Sequence, residues 1–200
     1  MRLLLMLVAA LAGPLPAAAG AFSDLVMAPG LFASDEAGPV LRYEEVRPAG
    51  AGAAPAEVGL LTLARVTEAE GTRLALTRQS DGAEEPVASF PDGSTNPVLL
   101  YFLESTLRDM AEATGGSPFY IRNRMREALG AADLGAAADG TVTLTPFAGD
   151  RNRARMGAFA DLALRFRFDP AMPERIVELS ADTSDGADGY HHRLTLVPED

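Results

Sequence analysis

Residues 96–130, NPVLLYFLESTLRDMAEATGGSPFYIRNRMREALG, carry two helix starts and two helix stops in the middle of a chain that otherwise alternates apolar and polar residues. Asn96 can cap a helix, and Pro97 takes the first helical position, where its missing N–H costs nothing. Gly115 and Gly116 stop that helix, Ser117 and Pro118 repeat the start signal, and Gly130 ends the second. At about 100° per residue, Leu99, Leu103, Leu107 and Met110 form one stripe, with Phe102 and Thr106 beside it. Glu104, Arg108 and Glu112 fall opposite as i,i+4 pairs, each worth only about 0.2–0.5 kcal/mol, so they mark a solvated face. The stripe has to be buried against another element, and the flanking sequence supplies it.

On the N-terminal side, VLRYEEVRP, EVGLLTLARVTE, TRLALTRQ and EPVASF read as strands. AEGT and SDGAEE are short hairpin loops, and GAGAAPA is a longer connection. Val58, Leu60, Thr62, Ala64 and Val66 share one face of the second strand, with Leu61 and Leu63 on the other, so both faces are partly covered. On the C-terminal side come GTVTLTPF, DLALRFRFD, PERIVELSAD and YHHRLTLVP. In the second of these, Leu162, Leu164, Phe166 and Phe168 alternate with Ala163, Arg165, Arg167 and Asp169, which predicts a strand with one wet face. Ala21 to Pro39 reads as an irregular lead-in with a helical turn around FSDLVM. The order of four strands, two helices and four strands predicts an α+β fold. A curved antiparallel sheet, a half-barrel of about eight strands, would pack around a central helical hairpin. No internal repeat or long linker divides residues 20–200, which are expected to form a single domain.

The first residues follow a different pattern. MRLLLMLVAALAGPLPAAAG has one charge at Arg2, an apolar run from Leu3 to Leu11, two prolines and a small-residue site ending at Ala19. That is the form of a secretory signal peptide over residues 1–19, and its apolar run falls short of the roughly 20 residues that span a bilayer. A periplasmic or secreted protein is expected, with no transmembrane segment after signal removal. The formal charge of −11 argues against nucleic acid as a partner, because such binding needs a basic footprint. All 17 basic residues are arginine. There is no cysteine, which excludes disulfides, thiolate metal sites and a cysteine nucleophile.

Two regions of the hairpin are candidates for ligand or partner contact. At the first turn, Val98, Leu100 and Tyr101 surround the helix axis, with Phe102 next, so this end is either packed on several sides or lines an apolar pocket. In the second helix, Ile121, Met125, Ala128 and Leu129 make the buried stripe. Phe119, Arg122, Asn123 and Arg126 project from the other side, flanked by Tyr120 and Arg124. Aromatic rings beside forked guanidinium donors suit an anionic head group or a partner's carboxylates; the alternative is a wedged corner with solvated arginines. A second basic run, DRNRARMG, with Arg151, Arg153 and Arg155, reads as a hydrophilic loop.

The segment NPVLLYFLE…DMAEATGGSPFYIRNR resembles one in uncharacterised exported bacterial proteins, over Asn96 to about Leu129. The resemblance implies export and carries no known activity or site residues. More loosely, strands wrapped on central helices in an exported chain look like the periplasmic lipoprotein-carrier class.

Catalytic and metal chemistry leaves little trace. His191 and His192 are adjacent, so on a strand they point to opposite faces and do not chelate one ion together; both are expected at the surface or at a barrel mouth. Asp182, Asp185 and Asp188 lie in DTSDGADG, whose spacing departs from the calcium-loop pattern and reads as a hairpin connection. Ser94 and Ser117 lack a nucleophile elbow, and no phosphate loop or dinucleotide fingerprint occurs, so no catalytic residue, metal ligand or cofactor is assigned. The expected function is an exported, non-enzymatic protein binding an apolar or amphipathic ligand, a lipophilic small molecule, between sheet and helices. The alternatives are an envelope protein-interaction or assembly factor with a filled core, and a histidine-dependent hydrolase.

Overall fold

The computed structural model describes residues 21–32, 37–48, 56–132, 140–172, 175–184 and 189–198. The signal-peptide expectation, most of the GAGAAPA connection, and Asp185 and Asp188 lie outside the described residues.

A short helix α1 (Ala21–Val26) precedes four strands, β1 (Gly38–Pro48), β2 (Ala56–Glu68), β3 (Gly71–Ser80) and β4 (Ala83–Pro91). Two helices follow, α2 (Pro97–Thr114) and α3 (Pro118–Gly130), then β5 (Thr141–Leu144), β6 (Ala163–Phe168), β7 (Ile176–Asp182) and β8 (His191–Leu196). Short 3-10 turns at Arg153–Arg155 and Gly157–Asp161 fill the stretch before β6. No helix among the described residues is long and apolar enough to cross a membrane.

The eight strands among the described residues form one open antiparallel sheet in the order β4-β3-β2-β1-β8-β7-β6-β5. Each half is a meander of four neighbouring strands. The β3–β4 turn is the two-residue Asp81-Gly82 loop, with φ of 51° and 79°. Both residues are left-handed, which matches the twist of the strands they join. The halves meet in the middle, where Tyr43–Val46 of β1 pair with Leu196–Arg193 of β8. The strands flanking the helices, β4 and β5, are therefore the two outer edges. The connection between them must cross about 34 Å of sheet. Helix α2, about 27 Å long, spans much of that distance and packs on β3 and β7.

The caps read from sequence form. The Asn96 side chain accepts from the Val98 and Leu99 N–H groups at 3.1 Å each, and Gly115 ends α2 at φ 63°. Helix α2 buries Val98, Leu99, Phe102, Thr106, Leu107 and Met110 against Leu61, Leu63, Leu74, Leu76, Leu164, Phe166 and Leu194 of the sheet. Phe22 of α1 completes the layer, with its ring 5.3 Å from Phe166 and 5.9 Å from Phe168. In β2 the covered face is the one bearing Leu61 and Leu63. The opposite face is half-buried by neighbouring strands, and Val58 there is 60% exposed. The DRNRARMG run is more ordered than a plain loop, because Arg153 donates to the Phe147 and Ala160 carbonyls and to Asp161.

Candidate functional site

Alternation along β1 places Tyr43, Glu45 and Arg47 on the face that the helices cover. A carboxylate there loses its water, so it needs partners from the elements that meet it. Glu45 is 0% exposed and has three. Arg78 of β3 donates to Oε2 at 2.5 Å, while Tyr101 of α2 and His192 of β8 reach Oε1 at 2.7 and 3.0 Å. Arg78 also pairs with Glu57 at 3.1 Å. The other His192 nitrogen, Nδ1, lies 3.3 Å from the Thr106 hydroxyl, and the ring leans on Phe102 with centroids 5.1 Å apart. A second branch runs beside it: Asp109 of α2 accepts the Tyr190 hydroxyl at 2.8 Å and pairs with Arg47 at 3.3 Å.

The charges follow from these contacts. Burial works to raise the Glu45 carboxyl, but the hydrogen bond and charge of His192, with Tyr101 and Arg78, outweigh it and hold it at about 2. Burial, together with the neighbouring Glu45 charge, pushes the Tyr101 phenol above its ordinary value, so the hydroxyl stays a donor. Burial and Asp109 do the same to Tyr190. Because the folded carboxyl lies below its unfolded value of about 4.3, its stabilisation is complete above that value and is lost as the pH falls toward 2. An acid titration of the thermal midpoint should therefore drop between about pH 4 and pH 2. The drop should be shallower in Glu45→Gln; equal slopes would show that Glu45 is not a source of it.

Tyr101 and Asp109 also face outward. With Arg47 they line a groove of about 400 Å3 between α2 and edge strand β4, walled by Val87, Phe90 and Leu100. Glu104 and Arg108 stand at its rim, 3.3 Å apart, and Arg122 of α3 holds Glu104 through both carboxylate oxygens at 3.0 and 3.1 Å.

The six contact candidates separate. Tyr101 lines the groove, and Arg122 reaches its rim through Glu104. Phe102 is fully buried against Phe166 and His192 and presents no surface. Tyr120 is pinned to Asp150 by its hydroxyl at 2.8 Å, and Arg126 bonds Asn123 at 3.0 Å on the exposed side of α3. Phe119 is 69% exposed. The histidines do point to opposite faces, but the surface expectation is wrong for His192, which is 0% exposed. His191 is half-buried and meets Asp182 at 2.9 Å. Ser94 bonds the Pro91 carbonyl, and Ser117 caps α3 by accepting from the Tyr120 N–H. Neither of these bonds involves a histidine. Among the described residues no three of His, Asp or Glu gather in a metal-binding cluster.

Sequence reading missed Glu45, Arg78 and Asp109. The available signal was Glu45 in register with Tyr43, and His192 in register with Leu194: two polar residues on core-facing positions that had to find each other. Comparison with protein-family models, curated proteins and solved structures gives no match to this chain, so the chemistry of the site rests on its own geometry.

Proposed function

We propose that this is an exported, non-enzymatic protein that holds an apolar or amphipathic small molecule in the groove between α2 and β4. The observation that carries the reading is the groove itself. Its volume of about 400 Å3 falls within the range of small-molecule sites, roughly 300–1,000 Å3, and it combines apolar walls with a polar end. The ligand would lie beside the helix rather than beneath it, because the face of α2 toward the sheet is filled by Leu99, Phe102, Leu107 and Met110. The chemistry favours binding over catalysis. Tyr101 is held protonated and His192 is sealed behind Phe102 and Thr106, so neither offers a base to the groove. Support for export is the leader-like pattern of the first 19 residues.

The neutral probe N-phenyl-1-naphthylamine should gain fluorescence on titration with the purified protein. Replacing two walls of the groove, Val87→Ser with Leu100→Ser, should weaken that binding at least about tenfold, since each apolar side chain taken from the wall contributes on the order of 1 kcal/mol or more. Probe binding that is absent, or unchanged in the double variant with circular dichroism intact, would remove the groove as the site.

A further inference from the structure

We infer that a second pocket, at the corner where α2 turns into α3, binds a small organic anion: a compact apolar body carrying one acidic group. This site is separate from the groove beside β4 and does not rest on the reading of that groove.

The pocket encloses about 320 Å3, at the lower end of the range for small-molecule sites. Its apolar lining is Met110, Ile121 and Met156, all buried, with Tyr120 beside them. The Tyr120 hydroxyl is tied to Asp150 at 2.8 Å, so its ring is a fixed wall. Thioethers next to a ring favour a flat, aromatic body. The polar lining comes from Thr114 and Ser117 on one side and from Asn152 and Arg155 on the other. Thr114 spends its hydroxyl on the Met110 carbonyl, at 2.7 Å. Asn152 makes no side-chain cap bond, and neither its amide nor the Arg155 guanidinium has a bonding partner among the described residues. Arg153, two positions before Arg155, is by contrast consumed by the Phe147 and Ala160 carbonyls and by Asp161. Two sets of N–H donors that the fold does not use are thus left on one pocket.

Arg155 is the only charged residue in the lining, so the pocket is positive without help from any group outside it. The carboxylates around it are committed or turned away. Asp150 is buried and is closed off by Arg124 at 2.8 Å, by the Tyr120 hydroxyl and by the Asn152 backbone N–H at 2.7 Å. Asp161 is held by Arg153, and Glu127 by Arg124. Glu112 is exposed and lies two residues from both Met110 and Thr114, which puts it about 160° round α2 from the pocket. An acidic group at Arg155 therefore meets a fork of donors and no opposing carboxylate, while the rest of the ligand rests on the methionines. A guanidinium fork suits carboxylate and phosphate alike.

The test uses 8-anilinonaphthalene-1-sulfonate, the sulfonated form of N-phenyl-1-naphthylamine, on the Val87→Ser, Leu100→Ser protein, whose groove beside β4 is already altered. The anionic probe should bind there. Adding Arg155→Gln, or adding Asn152→Asp, should weaken it by about threefold or more, the scale of an exposed charge contact. Neither side chain has a bond within the fold to lose, so circular dichroism should stay unchanged. Benzoate or phenyl phosphate should displace the probe at a concentration about threefold or more below that of benzylammonium. Which of the two anions is stronger separates a carboxylate source from a phosphate source. Absent binding of the anionic probe, affinity unchanged in either added variant, or a cation that displaces as well as both anions overturns the site. None of these results touches the reading of the other groove, which is tested by the neutral probe on the unaltered protein.

Discussion

Replacing Glu45 with alanine is expected to destabilise the protein by about 3–5 kcal/mol, the usual result of removing one partner from a buried charged network. Arg78 would lose a 2.5 Å bond, and Tyr101 and His192 would lose the oxygen they share. His192 has no route to water, being 0% exposed. The cost is thus mainly the desolvation of groups left behind, rather than the net worth of the bonds themselves. That distinction can be measured. The double replacement Glu45→Leu with His192→Leu removes both buried ionisable groups together and should cost less than Glu45→Ala, because apolar substitutes for a whole buried pair are often tolerated. Urea unfolding of the variants is the measurement. A Glu45→Ala cost below about 1 kcal/mol would show that water reaches the site in solution.

The other large effect is expected at Phe166. Phe166→Ala should cost about 3–5 kcal/mol by urea unfolding, the range for emptying an aromatic site in a packed core. The ring is 0% exposed on β6, and it is where two separate helices meet the sheet. Phe22 of α1 lies 5.3 Å away and Phe102 of α2 lies 6.1 Å away. A cavity there loosens α1 first, since a helix of 6 residues has little stability apart from such packing. Amide exchange in α1 should accordingly accelerate more than in α2. A loss of stability with unchanged α1 protection would mean that Phe22 is held mainly by other neighbours.

Local patterns were legible in the chain and long-range ones were not. The period-two runs, the Asn96 cap and the Gly115 stop each act within a few residues, and each appears where the pattern puts it; the SDGAEE loop closes more tightly than read, as the two-residue Asp81-Gly82 turn with β4 starting at Ala83. The α+β class and the open antiparallel sheet around a helical pair follow from their order. Nothing local announces that β1 pairs with β8, and so nothing announced that Glu45 and His192, 147 positions apart, would share a hydrogen bond. His192 shares its side of β8 with Leu194, opposite Arg193, and the surface or barrel-mouth expectation fails because that side faces the core. The aromatic cluster of α3 was misleading for a related reason. Tyr120 and Phe119 are adjacent in sequence, yet one is fastened to Asp150 and the other stands in solvent. Arg122 reaches the groove rim only because α3 folds back along α2, bringing it to Glu104, 18 positions away.

The seam between β1 and β8 has a consequence for the life of the nascent chain. Four residue pairs join the first strand to the last, so β1 keeps one side unpaired until β8 has been synthesised. Closing so long a loop is entropically costly and slows folding. Until it closes, Glu45 lacks His192, and the N-terminal meander cannot reach its final stability. A polypeptide built this way stays incompletely folded until β8 has emerged, and it gains its full resistance to unfolding when both halves lock together.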